Sequence, residues 1–200
     1  MTDILYANAY ILAYSAKNML NKDRMRAMLG ASTPSAVAMM LCDLGYGVTS
    51  GTDDEIIDTE REKTYKTFME LCTDPALSAV ITLKHNFITT PLDKNLDYHT
   101  AEKNLFTQIT EQIPKIKSKN IQNYFQFELS PDKHAKSSDE HLYKLACIEK
   151  NDLDTMGPLF HWYILKQSEF RAVKTILMGK RFEQPREVIM ENLRGIYERF

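Results

Sequence analysis

The residues best suited to metal chemistry are two histidines, His134 and His141, which lie seven positions apart with Asp139 and Glu140 between them. Imidazole and carboxylate groups bind divalent metals, but a site would form here only if both imidazoles pointed the same way. The other three histidines are isolated in sequence: His85, His99 and His161. We therefore expect all five to be ordinary helix residues, partly exposed or hydrogen-bonded, and expect no bound metal.

A glycine-rich segment, GYGVTSG at residues 45–51, invites comparison with a phosphate-binding loop. Such loops follow a strand and end in Gly-Lys-Ser/Thr. This segment instead follows a predicted helix and runs into TDDEIIDTE, whose charges would repel phosphate. We predict a helix C-terminal turn followed by an Asp-capped helix. The sequence also lacks a serine elbow, an H-E-x-x-H pattern and paired carboxylates, so we expect neither catalysis nor a cofactor or small-molecule substrate.

The composition is that of an ordinary globular protein, and from the features below we expect it to stay inside the cell. Of its 200 residues 44% are hydrophobic, and 25 basic against 27 acidic residues give a net charge of -2, which argues against nucleic-acid binding. No apolar run approaches the roughly 20 residues of a membrane span, and MTDILYANAY does not resemble a signal peptide. The three cysteines are widely spaced, and we expect buried thiols: Cys42, Cys72 and Cys147.

Most of the seven prolines lie at predicted helix starts, where the missing N–H has no cost. Four pairs have this form: Thr33-Pro34, Asp74-Pro75, Ser130-Pro131 and Gln184-Pro185. Ser137 with Glu140 predicts a capping box before HLYKLACIEK. Only LSAVITL, residues 77–83, is rich in β-branched side chains, and it directly follows a helix start. We predict an all-α fold with under a tenth of residues in strands, as helical modules at 1–128 and 137–200 joined by a polar linker at 129–136.

Tyrosines recur every four residues on the first predicted helix, at Tyr6, Tyr10 and Tyr14. Aromatic side chains at this spacing usually lie in a core. The interleaved alanines indicate close approach of another helix: Ala7, Ala9, Ala13 and Ala16. An acidic helix follows at TDDEIIDTEREKTYKTFMEL, and Glu62 is predicted to pair with Lys66 on its solvated surface.

The C-terminal segment QSEFRAVKTILMGKRF predicts a tight helical corner. A long helix over 152–178 would end at Gly179 in the left-handed conformation, with a second helix starting at Pro185. The apolar positions of the two helices should pack together: Phe170, Val173, Ile176 and Leu177 with Val188, Ile189, Leu193, Ile196 and Tyr197.

Four cations of this corner would then face solvent or a partner: Arg171, Lys174, Lys180 and Arg181. For Lys174 simple solvation is the better interpretation. Lys180 and Arg181 would also lie beside the carbonyls at a helix C-terminus, which attract cations without any partner.

The order of motifs resembles the family of C subunits from archaeal and bacterial V/A-type rotary ATPases, relatives of the eukaryotic d subunit. The first block starts at YANAYILAYSAKNML and ends near residue 47; its matching residues are Tyr6, Ala7, Asn8, Ala9, Met19, Leu20, Tyr46 and Gly47. The second, LDYHTAEKNLF, matches the family's Asp-Tyr-His-Asn-Ala-Lys signature at Asp97, Tyr98, His99 and Ala101, with Thr100 and Glu102 departing from it. The third and most specific block runs from MGPLF to the C-terminal corner; it matches at Gly157, Pro158, Glu169, Arg171, Gly179 and Lys180.

The resemblance implies a short or divergent member, with the family's fold of packed helix hairpins and without chemistry of its own. Family members form a helical socket at the cytoplasmic face of the membrane, which joins the membrane rotor ring to the central stalk and transmits torque. We therefore expect both as partners, with no membrane span in this chain. Candidate partner-binding residues are Arg171, Lys180, Arg181, Asn8 and Tyr10, the last standing where the family has arginine.

Two alternatives remain. An unrelated helical scaffold or regulatory protein would have no affinity for a stalk. A helical-bundle enzyme or metal protein that uses the histidines and carboxylates would carry stoichiometric metal.

Overall fold

The computed structural model describes residues 3–46, 53–89, 97–130 and 135–197. These ranges contain ten α-helices and one short 3-10 helix, without any strand, which confirms the all-α prediction. The helices are α1 (Ile4–Asn18), α2 (Lys22–Gly30), α3 (Pro34–Asp43), α4 (Asp53–Leu71), α5 (Pro75–Thr89), α6 (Tyr98–Gln112), α7 (Lys119–Glu128), α8 (Ala135–Cys147), α9 (Gly157–Arg181) and α10 (Arg186–Tyr197). The 3-10 helix, Ile113–Lys115, follows α6 directly.

Two of the proline-marked helix starts form as predicted. Thr33 accepts a hydrogen bond from the Ala36 amide at 3.2 Å, and Pro34 opens α3. Asp74 accepts from the amides of Ala76 and Leu77, and Pro75 opens α5, which contains the β-branched run of residues 77–83. The Ser130-Pro131 start falls on residues 131–134, outside the described ranges.

The predicted capping box at Ser137 is wrong, because α8 already begins at Ala135 and Ser137 lies inside it. Glu140 instead pairs with Lys144 one turn later, at 2.7 Å. The long C-terminal helix is also shifted from its predicted span of 152–178 to Gly157–Arg181. The predicted pair of Glu62 with Lys66 is confirmed at 3.3 Å.

By their internal contacts the residues group into two compact units, and the division falls within α1, α4 and α9. The first unit combines Met1–Tyr10 with Phe68–His161. Its helices α5 and α6 pack together, as do α7 and α8. In its core the Phe160 ring contacts Tyr124 and Phe125 edge-on, with ring centres 5.0 and 5.6 Å apart.

The second unit combines Ile11–Thr67 with Trp162–Phe200. Its core joins α2 and α3 to the last two helices, and the predicted stripe of α9 is buried in it: Phe170, Val173, Ile176 and Leu177. From α10, Ile189 and Leu193 are buried as predicted, whereas Val188 is exposed. Both units draw on distant parts of the sequence, and the linker placed at 129–136 stays a prediction.

The predicted tyrosine core of α1 is wrong. Tyr6 and Tyr10 are 62% and 43% exposed, and Tyr14 is half-buried with its ring edge-on to Trp162. Among the α1 side chains that the structure describes, the buried ones are Ala7, Asn8 and Ile11, which lie on a different face of the helix from Tyr6 and Tyr10. Mostly small side chains therefore occupy the buried face, while Tyr6 and Tyr10 remain in contact with water.

Candidate docking site at the α9–α10 corner

The corner between α9 and α10 turns at Glu183. This residue has a φ of 52°, in the left-handed region. Its amide donates to the Lys180 carbonyl at 3.2 Å, and the Gln184 amide donates to the Gly179 carbonyl at 2.8 Å. These two bonds form a Schellman motif, which ends a helix by satisfying its last carbonyls. A non-glycine residue therefore occupies the left-handed position that was predicted for Gly179.

Gly179 lies within α9, and its prediction as the helix-ending glycine is wrong. A Cβ atom built there would lie 2.5 Å from Cγ1 and 2.6 Å from Cδ1 of Ile189. Such contacts are far inside van der Waals distance, so only glycine lets Ile189 pack directly on the α9 backbone. The residue thus determines how closely α10 approaches α9.

This close packing of the two helices leaves an open groove of about 450 Å³ on their outer side. Its lining residues are Arg171, Lys174, Thr175, Met178, Gly179, Phe182, Gln184 and Asn192. The α9 residues recur every three or four positions, so they form one row along the helix. Phe182 is 66% exposed and Met178 36%, which makes the floor of the groove apolar at its Phe182 end.

The predicted corner cations have different surroundings in the structure. Arg171 lines the groove together with Lys174, whereas Arg181 is exposed, with its Nη1 3.9 Å from the Met178 sulfur. Lys180 is half-buried, and its Nζ donates to the Leu29 carbonyl at 2.7 Å, near the C-terminus of α2. Of the three corner residues predicted to bind a partner, only Arg171 lines the groove.

The other two predicted partner-binding residues belong to the first unit. Asn8 is fully buried, and its Nδ2 donates to the carbonyls of Leu153 and Thr155, at 2.9 Å each. It therefore holds the turn before α9 against α1. Tyr10 is exposed on α1. Neither residue is among those that line the groove of the second unit.

A buried charge cluster lies farther towards the N-terminus of α9, within the second unit. Lys166 of α9 is 0% exposed, and its Nζ lies 2.8 Å from Glu169 Oε2 and 3.1 Å from Glu60 Oε1 of α4. Burial alone would lower the pKa of Lys166, but the adjacent carboxylates, Glu169 before Glu60, raise it instead. Lys166 is therefore charged, and it ties α4 to α9 through ion pairs.

Tyr46 and Leu20 complete the hydrogen bonding of Glu169. The Leu20 amide donates to Oε1 at 2.5 Å, and the Tyr46 hydroxyl donates to Oε2 at 3.2 Å. Burial raises the pKa of Glu169 against the opposing effect of Lys166. Burial also raises the pKa of Tyr46, with Glu169 and Glu60 adding to it, so the hydroxyl keeps its proton.

The turn after α3 positions Tyr46 in this cluster. Gly45 has a φ of 77°, and the Tyr46 amide donates to the Leu41 carbonyl at 2.9 Å, so α3 ends in a second Schellman motif. This confirms the helix C-terminal turn predicted at Gly45. The rest of the supposed phosphate loop, residues 47–52, lies outside the described ranges.

Sequence patterns did not reveal most of this cluster, since Glu169 and Tyr46 were named only through the family resemblance. The available signal was a lysine and a glutamate three residues apart, Lys166 and Glu169, at positions that continue the apolar stripe of Phe170 and Val173. Such a pair at core positions indicates a buried ion pair. Nothing in the sequence near Glu60 marks it as their partner, because Glu60 lies in a run of solvated charges.

Within the described part of the chain, no group of three or more His, Cys, Asp or Glu side chains could hold a metal ion. His141 contacts Phe127 with ring centres 4.4 Å apart and ring planes tilted by 52°, and His134 lies outside the described residues. The prediction of buried thiols is wrong in degree, since all three cysteines are half-buried.

Comparison with known proteins gave no matching family model, curated protein or solved structure. None of the described helices is both long and apolar enough to cross a membrane.

Proposed function

We propose that this chain is a non-catalytic docking protein that binds another protein at the α9–α10 groove. The observation that carries the proposal is the exposed pair Met178 and Phe182 on the groove floor beside the cations Arg171 and Lys174. Exposed aromatic, methionine and arginine side chains are enriched in protein interfaces. Their convergence in one groove favours docking over simple solvation.

The helices around the groove are held together by close packing and ion pairs. Gly179 lets α10 pack directly on α9, and the Lys166 cluster fixes α9 to α4. A rigid surface loses little conformational entropy when a partner binds. These contacts therefore favour a preformed docking surface.

More specifically, we propose a socket subunit of a V/A-type rotary ATPase, with the central stalk and the membrane rotor ring as partners, at the cytoplasmic face of the membrane. This narrower proposal depends on the sequence resemblance. Three residues that carry its third block have demanding structural roles: Gly157 packs against the Glu149 backbone, Glu169 accepts the buried hydrogen bonds, and Gly179 admits Ile189. An arrangement of the helical modules like that of the V-type ATPase C subunits is part of this proposal.

The second candidate function is a helical scaffold or regulatory protein unrelated to ATPases. The groove supports the scaffold function equally, because it indicates that a protein docks there but does not identify that protein. The two candidates differ in what binds. Only the socket protein requires affinity for stalk and ring subunits.

The test is capture of the stalk and ring subunits of the host's own rotary ATPase by the tagged full chain. We expect capture by the unaltered chain, and strong loss of it when Lys174→Glu is combined with Phe182→Ala. Lys66→Glu, an exposed charge reversal on α4, is the control and should capture normally. Melting temperatures of all variants establish that the fold is intact.

Two outcomes would contradict the proposals separately. Capture that survives the double substitution would move the docking site away from the groove. Absence of capture by the unaltered chain would reject the ATPase proposal and leave the scaffold interpretation.

A further inference from the structure

We infer that the occupant of the groove is an amphipathic α-helix of a partner protein, with carboxylates at one end and a large apolar side chain at the other. The inference rests on the docking function proposed above and specifies the chemistry of the partner. It follows from the shape of the groove and from the distribution of charge along it.

The shape of the groove fits a helix. One wall runs along α9 from Arg171 to Phe182, just beyond its last residue, eleven positions or about 16 Å along the axis, and Gln184 of the turn and Asn192 of α10 complete the lining. A cleft between two packed helices accepts the ridge of side chains on a third helix. The α9 wall corresponds to about three turns of a partner helix.

Charge varies from one end of the groove to the other. Arg171 and Lys174 lie at one end, the neutral Thr175 follows, and Met178 and Phe182 lie at the other end. None of the described residues that line the groove is acidic, and Lys174 is exposed. A partner with carboxylates at the first end and an apolar anchor at the second is therefore complementary.

The apolar end of the groove determines which kind of partner side chain binds there. Met178 has a flexible thioether side chain that adapts to its neighbour, and the Phe182 ring offers a flat apolar face. A leucine, methionine or phenylalanine about two turns from the partner's carboxylates would lie between them. A small anion would occupy only the cationic end and leave this apolar surface uncovered.

The inference is tested with displayed peptides, which do not require the natural partner. A library of alanine-based helices of about 15 residues, randomised on one face, is selected for binding to the full chain. We expect enrichment of sequences with Asp or Glu at one end and a large apolar residue about seven positions away. Enrichment of basic or uniformly apolar helices would overturn the inference.

Selected peptides are then measured by fluorescence anisotropy against matched variants. Lys174→Glu and Phe182→Ala should each weaken binding about tenfold or more, whereas Lys66→Glu should leave it unchanged. A central proline in the peptide should abolish binding, because it breaks the helix. Equal binding to all three variants, or tolerance of the proline, would overturn the inference.

These outcomes are separable from those of the capture test. Groove-dependent capture of ATPase subunits without acidic helices in the selection rejects only the partner chemistry. Acidic helices that bind the groove, with no capture of ATPase subunits, reject only the socket proposal.

Discussion

Lys180 and Leu29 are 151 positions apart in sequence, yet the Lys180 ammonium donates a 2.7 Å hydrogen bond to the Leu29 carbonyl. Leu29 is the penultimate residue of α2, where carbonyls lack partners within the helix. The lysine thus places a cation at the negative end of the α2 dipole. A residue predicted to face a partner has a structural role within the second unit.

Lys180→Met should therefore lower the stability of the fold rather than the affinity for a partner. Loss of the bond to Leu29 should decrease the free energy of unfolding by about 1 kcal/mol in urea denaturation. Arg181→Met, which alters the exposed neighbouring cation, should stay within about 0.5 kcal/mol of the unaltered chain. Equal effects of the two substitutions would show that the Leu29 contact does not stabilise the fold.

Gly179→Ala should destabilise the second unit by about 1–3 kcal/mol, because its new methyl group overlaps Ile189. The added methyl group should cost less in a chain that already carries Ile189→Ala, and a double-mutant cycle measures this difference. The matched control is Gly30→Ala at the end of α2, where a Cβ meets nothing within 4 Å. Thermal melting distinguishes them, and a neutral Gly179→Ala would contradict the close packing.

Lys166→Met should cost about 3–5 kcal/mol at neutral pH, because it removes the buried cation that pairs with both Glu60 and Glu169. Urea denaturation at about pH 7 and about pH 5 should show partial recovery in the acid, where protonation of a carboxylate relieves the repulsion.

The control for this substitution is Lys63→Met. Lys63 lies 3.7 Å from Glu60 but is 51% exposed, so its loss should change stability by under about 1 kcal/mol. A small effect of Lys166→Met, comparable to that of Lys63→Met, would mean that the buried cluster is not an anchor between α4 and α9.

His161 should make stability depend on pH below neutrality. Burial, aided by Lys150, lowers its pKa from 6.5 to about 4, so the folded state favours the neutral ring. Between these two pH values the unfolded chain binds a proton that the folded chain does not. Stability should therefore fall as the pH decreases through this window, by up to about 3 kcal/mol.

His161→Gln should reduce that slope, measured by urea denaturation across the same pH range. His99→Gln, at an exposed histidine of α6, should retain it. An unchanged slope in His161→Gln would assign the acid sensitivity to other groups.

Sequence patterns predicted features that depend on local chemistry. Thr33 and Asp74 cap their helices because a cap needs only residues two or three positions away. The stripe of Phe170 and Val173 was predictable because a 3.6-residue period encodes one buried face.

Features that depend on distant residues were not predictable in this way. Gly179 was assigned to a turn because its contact with Ile189 is tertiary, and the turn falls four residues later at Glu183. Tyr6 and Tyr10 matched a core pattern, yet Ala7 and Asn8 are buried in their place. In both cases the buried side of the helix depends on which residues pack against it, and a single sequence does not identify those residues.

The discontinuous make-up of the second unit has a consequence during protein synthesis. Residues 11–67 leave the ribosome well before residues 162–200, with roughly ninety residues between them, or about 5–20 s of translation. Throughout that interval Met25, Met28 and Leu41 lack the α9 side chains that cover them in the finished core. Nascent chains stalled before residue 162 should therefore be bound by chaperones and cleaved readily in α2 and α3, whereas chains released after residue 193 should resist. Slow translation from residue 162 onward should therefore prolong the exposure of these core side chains.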